Sequence, residues 1–438
     1  LYFNNFKELF INFYGTVVIE SILLMLRTKV LLNNGDLSKT EIVWFYPASM
    51  TQNRFNKFKA EWENTFATLF GAPISNIIAA SESVAPYYYH KAKKGATSTV
   101  VSVDIGGGTT DVLIVDKGEP KYLTSFRFAA NTIFGDGYSY DSDSNGFVNK
   151  YKDIITNQLE TNNLRGLKAV LKSVLDKRVS TDVIAFLFSL ASNKEIKKEK
   201  VEINFAKMLA DDNRGKYVVI LFYVAIVYHI AKLMKAKGFD MPRHMTFSGN
   251  GSKVLNILST NDATLVRLTK IIFEEIYAQS YSIDGLDIIR PANSKESTCK
   301  GGIILTPFQS QDYGEIKDMK TILIGTDNEK FADVHMTYND VTEADLDSVV
   351  DVIKEYIEFT FKLDKKFSFY DNFDVDRSIM NKVKDLCYRD IRTYLENGLA
   401  IKKSEIAQDG ADDNLEETLF FYPLVGIINA VVRNIYQM

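Results

Sequence analysis

Asp104-Ile105-Gly106-Gly107-Gly108-Thr109-Thr110-Asp111, read DIGGGTTD, lies between two apolar runs at 99–103 and 112–115. Short runs rich in Val and Ile, bounded by glycine, read as strands. A third run, 122–128 (YLTSFRF), carrying aromatic and β-branched residues, follows the turn Lys117-Gly118-Glu119-Pro120. Connections this short join antiparallel neighbours, so 99–128 is expected to form a meander. Three consecutive glycines have no Cβ to hold a ligand away and are free to take φ > 0. Successive backbone N–H groups in such a turn converge on an anion. Thr109 and Thr110 add hydroxyl donors, and Asp104, at the strand end, is placed to hold a metal ion or its water shell. A phosphate group with Mg²⁺ satisfies all of these groups; a glycine-rich turn with acidic flanks is the plain alternative. The run is not a Walker A loop, because a strand rather than a helix follows the glycines.

Upstream, 41–46 (EIVWFY) reads as a strand ended by Pro47, and Ser49 or Thr51 can cap the next helix. There Phe55, Phe58, Trp62, Phe66 and Leu69 recur at steps of three and four, which makes one apolar stripe. Gly71 closes that helix, 76–80 is a short strand, and Glu82 opens another helix with Pro86 early in it. Downstream, 149–237 is mostly helical and 244–247 returns to strand. Ser248-Gly249-Asn250-Gly251-Ser252 and a helix near Val254 follow, then a strand at 286–289 and a break at Gly301–Gly302. Strands alternating with helices predict an α/β architecture. Beyond Pro307 helices are expected at 346–361, 377–395 and 416–435, with the polar stretch 403–414 as an exposed loop.

The chain has 438 residues, too many for one simple core and enough for two lobes. A formal charge of −4 without a dense Lys/Arg block gives no reason to expect nucleic-acid binding. Two cysteines far apart, Cys299 and Cys387, make no disulfide framework and fit a reducing, cytoplasmic setting. His90, His229, His244 and His335 have no metal-ligand spacing. The apolar run 217–228 is shorter than the about 20 residues a spanning helix needs, so a buried helix is expected and no membrane. Asp141 to Gly146 begins like an EF-hand loop, but Lys152 stands where the bidentate Glu belongs, so it reads as a solvated acidic turn. Asp111 reads as a turn-stabilising carboxylate, Lys253 as solvated or facing a nucleotide, and Cys299 as packing.

DIGGGTTDV resembles the second phosphate loop of the actin-like ATPase superfamily, which includes DnaK-type chaperones and bacterial actin homologues. Further segments agree in the family's order. Phe45-Tyr46-Pro47-Ala48 resembles its strand-Pro-Ala element. Ser81-Glu82-Ser83-Val84-Ala85 with Tyr87–Tyr89 resembles its first connecting helix, and Phe134-Gly135-Asp136 its next glycine step. Phe247-Ser248-Gly249-Asn250-Gly251-Ser252-Lys253 resembles the adenosine motif, and Ser294-Lys295-Glu296 to Gly301-Gly302 the second connecting segment. The resemblance spans roughly 42–305 and implies a two-lobed, ribonuclease H-like α/β fold with a C-terminal helical extension. Residues 1–97 would be the remainder of the first lobe, 98–290 the second lobe with a helical insertion, and 291–438 a return to the first lobe plus the extension. It implies ATP or ADP with Mg²⁺ as cofactors. Gly106, Gly107, Gly108 and Thr109 would contact phosphate, with Thr110 beside them. Gly249, Asn250, Gly251 and Ser252 would contact the nucleoside, Asp104 would organise Mg²⁺ through water, and Glu82 would orient the attacking water or the metal.

The family's first phosphate loop, a strand-Asp-x-Gly-Thr hairpin, has no counterpart before residue 41; 1–30 reads as helical and apolar. The chain, which starts at Leu1, is therefore expected to be a fragment that hydrolyses ATP weakly or not at all, with the first loop upstream or on another chain. The helical tail lacks the short strands of a peptide-binding sandwich, so a peptide-binding chaperone is not expected. Three functions remain: an ATPase module of a larger chaperone-like or switch protein with a protein partner; an actin-like filament or scaffold subunit, or a nucleotide-binding pseudo-ATPase; and, last, a small-molecule kinase, for which no base beyond Glu82 is visible.

Overall fold

A computed structural model describes residues 3–46, 52–82, 84–94, 99–135, 137, 142–282, 285–291, 294–304, 322–323, 331–332, 336–409, 414–415 and 417–436. Pro47, Ala48, Ser49, Thr51, Ser83, Asp136, Asp141 and His335 lie outside them, as do the side chains of Ser294, Lys295 and Glu296. The protein is mixed α/β with helices predominating. It divides into two compact units, Leu1–Gly95 with Glu296–Asp318, and Ala96–Lys295 with Met319–Met438.

In unit 1 the helix α1 (Phe3–Leu32) precedes β1 (Ile42–Tyr46), α2 (Gln52–Phe70), β2 (Ile77–Ser81) and α3 (Ala85–Lys94). β1 and β2 pair in parallel, Ile42 opposite Ile77 and Tyr46 opposite Ser81, so α2 is the crossover between them. The α2 stripe faces this pair: Trp62 and Phe66 are buried with Trp44 and Tyr46 of β1 and with Ile19 and Leu23 of α1. Trp44 and Trp62 stack with ring centroids 5.5 Å apart. Gly301 and Gly302 do not break the chain; they lie inside the helix Ser294–Ile304. A Cβ on Gly301 would sit 1.8 Å from the Ala85 carbonyl oxygen, and one on Gly302 2.4 Å from the Phe45 ring. Glycine here permits close packing rather than ending a helix.

Unit 2 holds a five-stranded sheet in the order β5-β4-β3-β6-β7, made of β3 (Val100–Ile105), β4 (Thr110–Asp116), β5 (Glu119–Phe126), β6 (His244–Ser248) and β7 (Asp287–Ile289). β3, β4 and β5 form the expected antiparallel meander, and β6 and β7 add in parallel on the other edge of β3. Val100–Val103 and Val112–Val115 are buried throughout, as continuous apolar runs in a covered sheet should be. Between β5 and β6 the chain is helical, including α4 (Ala130–Phe134) and α5 (Gly146–Thr161). The helix Lys216–Ala236 is long and apolar enough to cross a membrane, yet its most apolar window is 94% buried within the protein. It forms the centre of the unit 2 core.

The C-terminal helices from Glu343 onward belong to unit 2. Tyr356, in the helix Glu343–Phe367, donates to the Leu221 carbonyl at 2.6 Å. Phe421, in the helix Phe421–Asn434, stacks on Phe126 at 4.0 Å and Phe128 at 4.7 Å. These aromatic contacts fill the core beside the sheet, and that is why the tail docks there. The span 377–395 is not one helix: it is divided at Asp390, whose φ is 55°. The expected loop 403–414 is helical as far as Asp409, because Lys402 is buried 3.7 Å from Glu417 and Ile406 packs on the core.

Candidate functional site

The site is built where β3, β4 and β6 end together. Asp104, half-buried, lies opposite Asp111 in the β3–β4 ladder and opposite Ser248 in the β3–β6 ladder. Directly opposed residues of a ladder project to the same face, so two carboxylates share one face here, an arrangement that like charges alone disfavour. Ser248 Oγ donates to Asp104 Oδ2 at 3.0 Å. Asp111 is buried at the same end of the sheet.

The glycine turn follows Asp104. Gly106 N–H donates to the Thr109 carbonyl at 2.9 Å and closes the turn. None of Gly106, Gly107 and Gly108 uses the freedom to take a left-handed φ. Packing does not demand glycine at the tip either: a Cβ on Gly108 would meet nothing within 4 Å, and one on Gly107 only the Asn131 side-chain amide, at 3.7 Å. Among the described residues no group accepts from the N–H of Gly107, Gly108 or Thr109. Three successive open donors on an exposed turn without side chains can receive a small anion such as phosphate. Asn131 N–H donates to the Gly107 carbonyl at 2.8 Å and Ala130 N–H to the Gly106 carbonyl at 3.3 Å, so the start of α4 fixes the turn from behind.

The second glycine pair works differently. Gly249 has φ 80° and ψ 156°, a conformation essentially confined to glycine. A Cβ there would lie 2.2 Å from the Ile105 carbonyl oxygen and 2.4 Å from Asp104 Oδ1, and a Cβ on Gly251 2.2 Å from the Gly106 carbonyl oxygen. Both glycines let the corner after β6 press against the end of β3 and the first residue of the turn. Ser252 Oγ donates to the Gly249 carbonyl at 2.8 Å and tightens a 3₁₀ turn, Asn250–Val254, while Asn250 and Lys253 are exposed.

Asp104, Gly106 to Thr109 and Gly249 to Ser252 are therefore brought together. Thr110 is not turned outward: its buried hydroxyl donates to the Phe128 carbonyl at 2.6 Å and ties β4 to the end of β5. Glu82 belongs to unit 1, where it is half-buried just after β2 and its N–H donates to the Tyr46 carbonyl at 3.0 Å. Ser248 and Asn131 are the additions the structure makes. Ser248 stood in a quoted motif without a role, and Asn131 had no local signal at all. No group of three or more His, Cys, Asp or Glu side chains suited to a metal occurs among the described residues. Both cysteines are free, Cys299 exposed and Cys387 buried.

No family model and no curated protein matches the chain. Among solved structures, the ethanolamine utilization protein EutJ from Carboxydothermus hydrogenoformans is similar over 66% of this chain and 74% of that one, at 14% identity and a TM-score of 0.33. Likeness at that level does not define the fold, which is given by the strand order itself.

Proposed function

We propose that the chain is an actin-like nucleotide-binding module that holds ATP or ADP with Mg²⁺ at the end of β3, β4 and β6. The observation that carries the reading is the set of three open N–H groups at Gly107, Gly108 and Thr109, on a turn whose tip glycines are required neither by φ nor by packing. A phosphate group approaching the bare backbone gives those glycines a reason. Gly249 and Gly251 press the corner after β6 against the turn, which sets exposed Asn250 beside it, and a nucleoside is proposed to lie there. Asp104 and Asp111 on one sheet face favour a divalent cation, and Asp104, held by Ser248, is the residue to orient its bound water. Magnesium would there neutralise charge on the phosphates, and any hydrolysis would rest on positioning and charge stabilisation. Glu82 is the residue proposed to orient the attacking water. The intact protein is read as a chaperone-like or switch ATPase working with a partner; the alternatives are a filament or scaffold subunit and a pseudo-ATPase.

Calorimetric titration of ATP and ADP with Mg²⁺ into the chain and into Gly107→Asp tests the reading. Binding that the substitution reduces at least tenfold supports it; equal binding by both proteins refutes the role of the turn. Nucleotide-dependent sedimentation that rises with protein concentration would favour the filament alternative.

A further inference from the structure

Away from the glycine turn, unit 2 carries a cleft of about 870 Å³, within the range usual for small-ligand pockets. It lies among the N-terminus of α5, the loop before the helix Lys216–Ala236, and the end of the helix Phe421–Asn434. The buried carboxylate of Asp212 is saturated by its own protein. Lys150 Nζ lies 2.9 Å, Tyr151 Oη 2.8 Å and Tyr436 Oη 2.7 Å from Oδ2, while Arg214 N–H and Gly215 N–H donate to Oδ1 at 3.1 and 3.0 Å. Burial alone would raise this carboxyl, but those hydrogen bonds outweigh it and hold the group below the usual range. Asp143, the other acidic residue lining the cleft, pairs with Arg178 at 3.7 Å.

The cations are less fully matched. Arg214 uses only Nε on Asp376, at 3.1 Å, which leaves its terminal nitrogens without an acceptor among the described residues. Arg433 is exposed and meets no acceptor there at all. Two guanidinium groups with open donors, in one cleft of ligand size whose acidic groups are already paired, are the usual equipment for recognising an oxyanion. The N-terminus of the 16-residue α5 adds partial positive charge to the same space.

We propose that this cleft is a second ligand site, separate from the glycine turn, that binds a small phosphate-bearing metabolite through Arg433 and Arg214. Inorganic pyrophosphate is the probe, titrated calorimetrically into the full chain carrying Gly107→Asp, so that the turn contributes nothing and the two readings can fail independently. Saturable binding is expected in that background, weakened at least tenfold by Arg433→Glu, partly kept by Arg433→Lys and weakened by added salt. The unliganded thermal midpoint of each variant checks folding; should Arg433→Glu lower it, Arg433→Gln replaces it. No pyrophosphate binding at millimolar concentration, or equal binding by the Arg433 variants, overturns the proposal. Citrate binding without pyrophosphate binding would make the ligand a carboxylate and overturn the phosphate assignment.

Discussion

Gly108 and Gly249 stand at two ends of what glycine can be for. Gly249 is held by its own chain: its backbone conformation and the 2.2 Å approach to the Ile105 carbonyl admit no side chain. Gly249→Ala should cost about 1–3 kcal/mol, measured as a lowered midpoint in urea denaturation. Gly108 faces open space without a left-handed φ. Gly108→Ala should leave stability within about 0.5 kcal/mol in the same experiment, as surface changes do. On the proposed function it should nonetheless weaken ADP binding in calorimetry. Loss of stability at Gly108 without loss of binding would show that the turn serves the fold only. The proposal that GGGT receives phosphate starts from a signature visible in the sequence, three glycines between two strands. Which of them the fold needs was not legible, because a glycine in open space and one under a carbonyl are spelled alike.

Elements were legible where their pattern is local. The meander 99–128 and the buried helix near 217–228 follow from continuous apolar runs bounded by turn residues. Gly301–Gly302 was misread because the signal for a break and the signal for close helix packing are the same letters. The C-terminal helices could be recognised from periodicity, but not what they pack on, since an apolar stripe names no partner. The rings of Phe126, Phe128 and Phe421 decide that docking. Phe421→Ala, in a position 1% exposed, should destabilise unit 2 by about 3–5 kcal/mol, read from thermal or urea unfolding followed by far-UV circular dichroism. An effect below about 1 kcal/mol would mean that the C-terminal helix is only draped on the core.

Over the whole molecule, acid should act through His229. It is fully buried among Phe126, Phe420 and Phe421, and burial takes its pKa down to about 3. In the unfolded chain the imidazole titrates near about 6.5. Above that value both states are neutral and His229 leaves stability independent of pH. Between about 6.5 and about 3 only the unfolded state binds the proton, so stability falls with falling pH, by up to about 1.4 kcal/mol per unit from this group. His229→Phe should flatten the urea-midpoint profile over that window relative to the parent; an unchanged slope would assign acid sensitivity to the carboxylates instead. The stacked pair Trp44 and Trp62 has a consequence of another kind. The chain contains two tryptophans, and both lie in unit 1. Light absorbed beyond the tyrosine band therefore excites unit 1 alone, and the emission is a built-in reporter of that unit. Melting curves taken by tryptophan emission and by circular dichroism will superimpose only if the two units come apart together.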